Sequence, residues 1–312
     1  MGDFSEQALG ELLQYLSSQD YDFITPTPVT QEIVTNRHKG KTRTGLADVL
    51  GWNLPFVPGT IDTRVEALLR RANAVDEGPG HCRACIRVAR LHDHVFLHSG
   101  FPTSDGDAVF FGPDSYRFAD LIERELNDLR LPDDALIVDI GTGSGVGAVI
   151  AAGIQPAARI AVTDINREAL RVAQINALVA GVKIEAFHGP ELAGVSGAID
   201  VALANPPYII DPARRLYRDG GGAHGSDVSL RIARAAIDRL APGGRLILYT
   251  GSAIVDGNDP FKAEMNALAT AAGASLRYRE IDPDVFSEEL RGDAYARVER
   301  IAVVAAIVDM PG

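Results

Sequence analysis

Residues 136–148 read "LIVDIGTGSGVGA", and this stretch decides the fold. A strand-length apolar run ends in spaced glycines, and "GVGAVIAAG" (residues 145–153) then resumes as a helix. Glycine permits left-handed backbone and close approach of a ligand, while the helix start offers free N–H groups. A strand entering a helix through such a turn is the first unit of a parallel α/β sheet.

The pattern repeats outward from there. "ARIAVTDIN" (158–166) is a second strand, followed by the helix "REALRVAQINALVAG" (167–181) with its glycine stop. "VKIEAFHG" (182–189) and "AIDVALANPPY" (198–208) are strands three and four. After the helix "VSLRIARAAIDRLAPGG" (228–244) comes strand five, "RLILYTG" (245–251), then a helix around 266–272. "SLRYREI" (275–281) and "RVERIAVVAAIVDM" (297–310) close the chain without an intervening long helix, so they are expected to pair antiparallel at one edge. The predicted fold class is α/β: a seven-stranded, doubly wound, Rossmann-like sheet spanning residues 107–312.

Residues 1–106 read differently. Helices are expected over "SEQALGELLQYLSS" (5–18), "TQEIVTNRH" (30–38) and "DTRVEALLRRANAV" (62–75), the last capped by Thr60 or Asp62. "CIRVARL" (85–91) and "HVFLHSG" (94–100) form a predicted β-hairpin, and "DAVFFGPDS" (107–115) a further strand. The expectation is a small, mostly helical substrate-recognition domain with a hairpin linker.

Composition narrows the function classes. The chain has 312 residues, 46% hydrophobic and 23% charged, as in ordinary soluble proteins. Two cysteines, an N-terminus without a leader pattern and no membrane-length apolar run suit a cytoplasmic protein. The net charge of −12 argues against nucleic acid as partner and leaves a protein or small molecule. The basic run at 36–43, "NRHKGKTR", has no assigned role. In "HCRACIRVARLHDH" (81–94), Cys82 and Cys85 lie near three histidines, but strand alternation points them to opposite faces and no metal is expected.

Two stretches carry the chemistry. Asp139, Gly141, Gly143 and Gly145 give D-x-G-x-G-x-G, which suits S-adenosyl-L-methionine, with Thr142 inside the turn. Gly143, Gly145 and Ala148 also satisfy the G-x-G-x-x-A pattern of nicotinamide oxidoreductases, so that class competes. Asp164, ending strand two, is placed to accept the ribose hydroxyls of either cofactor, with Ile165 beside it. The second stretch is Asn205-Pro206-Pro207-Tyr208, at the end of a strand that neighbours strand one across the switch point. The Asn205 side-chain oxygen and the Pro206 carbonyl can accept both hydrogens of a planar –NH₂ group, Pro207 stiffens the loop, and Tyr208 offers a face for stacking.

This combination resembles the class I S-adenosylmethionine-dependent N-methyltransferases with an N-P-P-Y motif, and is most similar to the release-factor glutamine N5-methyltransferases. The resemblance runs from about residue 110 to the end. It implies that Asp139, Gly141, Asp164 and Asn205 contact the cofactor, with Glu191 near the adenine, and that residues 205–208 hold a target glutamine. It likens Pro113, Asp114 and Ser115 to that family's pocket segment; Pro113, Ser115 and Tyr116, with Tyr217 and Arg218 after the loop, are candidates for the substrate channel. Departures are Gly112 in place of an arginine, Gly189 and Pro190 in place of an acid, and the Arg- and Gly-rich segment 214–227. A small-molecule N-methyltransferase and an exocyclic-amine methyltransferase on RNA or DNA are the alternative readings.

Overall fold

The computed structural model describes residues 5–38, 40–103 and 105–312; Lys39, within the basic run, lies outside the described residues. The chain opens with α1 (Glu6–Ser17), capped by the Ser5 hydroxyl, which accepts from Ala8 N. Leu9, Leu12, Leu13 and Leu16 repeat at helical spacing and form its buried face. Helix α2 (Pro28–Arg37) starts at a Thr27 cap and buries only Gln31. Helix α3 (Thr63–Arg71) is capped by Asp62, whose carboxylate accepts from Val65 N at 2.9 Å, whereas Thr60 donates to the Val57 carbonyl.

Two hairpins follow: β1 (Val75–Gly78) with β2 (His81–Ala84), and β3 (Ile86–Leu91) with β4 (His94–Ser99). The first is absent from the sequence reading because "VDEG" and "HCRA" are polar and short. The segment 107–115, expected as a strand, is none. It runs outside any sheet through buried Ala108, Val109 and Phe111 into α4 (Pro113–Leu126), hydrogen-bonded to β4 where Ser99 N donates to the Val109 carbonyl at 3.0 Å and Val109 N to Ser99 Oγ at 2.8 Å. Its apolar residues fill the core, and Pro113 at the first helical turn, with Ser115 Oγ accepting from Gly112 N, starts a helix instead.

The main sheet contains β5 (Leu136–Ile140), β6 (Arg159–Asp164), β7 (Ile184–His188), β8 (Ile199–Ala204), β9 (Leu240–Val255), β10 (Ser275–Asp282) and β11 (Val298–Asp309). Its order is β10-β11-β9-β8-β5-β6-β7. The strands β5 to β9 pair in parallel, and β11 is antiparallel to both β9 and β10, as the short connection requires. Helices α5 (Val146–Ile154), α6 (Arg167–Val179), α7 (Asp227–Ile237) and α8 (Pro260–Ala271) cover the faces. Helix α8 begins earlier than its apolar pattern suggests, because Asp259 caps it and Pro260 opens it. Strand order reverses between β5 and β8, which places a ligand crevice at their carboxyl ends.

The N-terminal elements are not separately packed. Ala169, Val172 and Ile175 of α6 share one core with Leu9, Leu12 and Leu13 of α1. Buried Asn176 stitches the parts together. Its Oδ1 accepts from Leu97 N at 2.8 Å, and its Nδ2 donates to the Leu97 carbonyl at 3.0 Å and the Ser144 carbonyl at 2.8 Å. Asn176→Leu leaves those backbone groups dry and unpaired, and should cost roughly 2–5 kcal/mol in urea unfolding. A loss no greater than that of an average surface change would remove this residue from its linking role.

Candidate active site

A cavity of about 400 Å³ opens at the carboxyl ends of β5, β6 and β8, a volume in the range of small-molecule sites. Gly141 (φ 68°) and Gly143 (φ 55°) turn the chain into it through left-handed backbone. Asp139 is fully buried beneath the turn. Its Oδ2 accepts from the Thr142 hydroxyl at 2.6 Å and from Ala148 N, in the first turn of α5, at 3.1 Å. Burial pushes its carboxyl up to about 6, against those two stabilising donors. Asp164, at the end of β6, grips the turn from the other side: Gly143 N donates to its Oδ2 at 3.0 Å and Asn166 N to its Oδ1 at 2.8 Å. Burial raises its pKa too. Each Asp164 oxygen accepts one of these bonds and keeps a lone pair for a ligand hydroxyl.

Most residues expected at a cofactor site meet here. Asp139, Gly141, Thr142, Gly143, Asp164, Ile165, Glu191 and Asn205 all line the cavity. Ile165 stays 48% exposed on its wall, an apolar face suited to covering a flat ring. The Glu191 side chain is paired with Arg231 at 3.1 Å. Gly145 is the exception: it is outside the lining, and a Cβ there would lie 3.1 Å from Ala173 of α6, so its place is set by helix packing.

Asn205, Pro206 and Pro207 form the facing rim. Among the described residues none hydrogen-bonds to the Asn205 amide. Tyr208 departs from expectation. It is buried outside the cavity lining, and its hydroxyl donates to Asp114 Oδ2 at 2.6 Å, while Tyr249 donates to Asp114 Oδ1 at 2.7 Å. Its ring faces Phe286 edge-on at 5.9 Å. It anchors the loop and offers no stacking face. Gly225 lies so close to the Tyr208 carbonyl that a Cβ would come within 2.2 Å, one reason why the segment after the loop is glycine-rich.

The channel candidates divide. Ser115 and Tyr217 line the cavity; Tyr217 stacks on Phe110 at 5.9 Å and donates to the Thr103 carbonyl at 2.7 Å. Pro113 opens α4 outside the lining, and the Tyr116 hydroxyl accepts from Thr25 N at 3.0 Å, away from the cavity. Arg218 is paired with Glu289. The wall also uses Val109, Phe110, Arg214 and Leu216, which the sequence reading did not assign; the adjacent phenylalanines before Gly112 were the available signal. In the Cys/His run, Cys82 is buried in β2, burial lifts the Cys85 thiol to about 12, and His92 pairs with Glu123 at 3.1 Å. Among the described residues no helix is long and apolar enough to cross a membrane.

Residues 124–255 match the sequence profile of the methyltransferase small domain. The chain is 32% identical over 159 residues to the release factor glutamine methyltransferase of Deinococcus radiodurans, covering 47% of this chain and 55% of that protein. It is 35% identical over 136 residues to the 4-amino-L-phenylalanine/4-methylamino-L-phenylalanine methyltransferase of Streptomyces pristinaespiralis, covering 38% and 44%. The chain thus spans about half the length of these relatives. The crystal structure of Trm5b from Pyrococcus abyssi superposes with a TM-score of 0.50 at 14% identity, over 80% of this chain and 68% of that one, a likeness of fold.

The raised Asp139 pKa has a stability consequence for the fold. Its folded value, about 6, exceeds the unfolded value near 3.8, so its contribution is full below the latter and lost as pH rises through the former. Relative to Asp139→Asn, the wild-type protein should lose roughly 2–3 kcal/mol of unfolding free energy between about pH 4 and pH 7. Denaturant titrations of both proteins at each pH measure it; parallel pH profiles would show an unperturbed carboxyl.

Proposed function

We propose that the protein is an S-adenosylmethionine-dependent N-methyltransferase whose acceptor is the side-chain amide of a protein glutamine. The observation that carries this reading is the convergence on one cavity of the Asp139–Asp164 turn and the rim of Asn205, Pro206 and Pro207. The glycine turn, two buried carboxylates and an exposed isoleucine suit the nucleoside and the positively charged methionine part of the cofactor. When bound, it supplies an electrophilic methyl group. Asn205 and the Pro206 carbonyl accept the hydrogens of the acceptor –NH₂ and orient its lone pair. Tyr208, fixed on Asp114, keeps those acceptors in place. The name of the Deinococcus relative supports a protein glutamine as acceptor.

Residues 1–106 are proposed to recognise the acceptor and residues 107–312 to perform the transfer. A small amine is the second reading, favoured by the Streptomyces relative, whose name specifies an aromatic amino acid. A nicotinamide oxidoreductase fits less well, since the Asp139 carboxylate already occupies the first-turn N–H of α5 where a pyrophosphate would sit, while Asp164 would serve either cofactor.

The test is transfer from cofactor carrying a labelled methyl group, in a cell extract fractionated into protein, nucleic acid and small molecules. Label in protein, located on glutamine by mass spectrometry, is expected; label confined to small molecules overturns the acceptor. Asn205→Ala should lower transfer about 100-fold or more while S-adenosylhomocysteine affinity stays within a few-fold. Asp164→Ala should weaken that affinity by roughly 1–3 kcal/mol in calorimetry. Retained activity in the first variant, or unchanged affinity in the second, removes the assigned role.

A further inference from the structure

A second cavity, about 240 Å³, lies among the N-terminal elements and is basic, although the chain carries a net charge of −12. Thr35, Asn36 and His38 at the end of α2 form one wall, and Arg83 of β2 faces them together with Phe101 and Pro102. Arg37, Lys41 and Arg43 flank His38 along the chain. Among the described residues, Arg37, Lys41, Arg43 and Arg83 have no carboxylate partner. Elsewhere arginines hold acids: Arg70 with Glu66, Arg215 with Asp211, Arg277 with Glu125. Arg43 instead directs its guanidinium at the His38 ring, and its Nε is buried without any partner. A buried donor of a cation left unpaired is costly, and an anion nearby would offset that cost.

Residues 101–103 run from this cavity to the catalytic one. Phe101 N donates to Asn53 Oδ1 at 2.7 Å, and Phe101 and Pro102 line the basic cavity. The next residue, Thr103, accepts from the hydroxyl of Tyr217, which lines the catalytic cavity. On the outer side, Val29 and Ile33 of α2 are both 48% exposed, an apolar flank one turn from Arg37.

We propose that this basic cavity is the docking subsite for an acidic segment of the protein acceptor, which passes over residues 101–103 and delivers its target side chain to the catalytic cavity. The link to methylation rests on the function proposed above; the docking itself does not. Acidic side chains fit better than a nucleic-acid backbone, because the remaining acidic surface repels a long polyanion while admitting a short one.

The experiment is fluorescence anisotropy of labelled hexaglutamate with the full chain, against hexaglutamine and a short single-stranded RNA. Hexaglutamate should bind at least about tenfold tighter than hexaglutamine at low salt, and weaken as salt rises. Arg83→Glu and Lys41→Glu, both at exposed positions, should each weaken it about fivefold or more. Equal binding of the two peptides, indifference to both charge reversals, or tighter binding of the RNA would overturn the proposal. Calorimetry with S-adenosylhomocysteine on the same protein separates the readings: peptide bound without S-adenosylhomocysteine leaves the subsite standing and removes the methyltransferase function.

Discussion

The Asp139 carboxylate is the constraint on which the main cavity depends. It is the penultimate residue of β5, accepts from the Thr142 hydroxyl and from Ala148 N, and so joins strand, turn and helix start in one contact. The helix must come close for this, and Gly147 permits it: a Cβ there would lie 2.6 Å from Asp139 Oδ1. An anion at a helix N-terminus is favourable, yet burial without a counter-ion is not, and the negative charge of Asp164 adds to the difficulty. Neither Asp139 nor Asp164 has an ion-pair partner among the described residues, and burial raises the pKa of both. A cation bound beside them would offset that desolvation cost.

The opposite wall is held by a different device. Asp114 accepts from the hydroxyls of Tyr208 and Tyr249 at 2.6 and 2.7 Å, and Arg117 connects it at 3.5 Å to a second carboxylate, Asp282, at 2.8 Å. Charge-assisted bonds of this length are strong, and here they tie the loop after β8 to the start of α4 and to β9. Beyond the loop, Arg215 forms a two-pronged bond with Asp211, holding the Asp211 carboxyl down near 2. The segment that covers the cavity is thus braced at both ends, and Asn205 and Pro206 are left as the acceptors on a rigid rim.

The parts of this architecture that were legible in the sequence are those set by local rules. Apolar runs alternating with amphipathic helices, the glycine turn after β5 and the acid ending β6 have fixed spacing, so seven strands and most of the cavity floor could be placed by number. Three failures share another cause. Tyr208 turns inward because of a residue 94 positions earlier, Tyr116 serves a backbone amide 91 positions away, and Arg218 is claimed by an acid 71 positions later. Spacing along the chain carries no information about such partners. The misread strand at 107–115 belongs with them: apolar residues that plug a core look like a strand until one asks which neighbour would pair with them.

Both walls of the main cavity are also fastened to the N-terminal elements. Asn176 joins the glycine turn to β4, Tyr217 reaches Thr103, and Tyr116 meets Thr25. The apolar core runs unbroken from α1 into α6, so a hinge between them would expose Leu9, Leu12 and Val172 to water at roughly 2 kcal/mol for each large side chain. Large opening motions are therefore disfavoured, and a ligand would meet a surface already in its final shape. Selection on such a surface comes from complementarity in place before binding, with little ordering entropy lost on contact. The fastening points are few: the contacts at residues 25, 97 and 103 carry the walls, so the shape of the cavity depends on elements far from it in the chain.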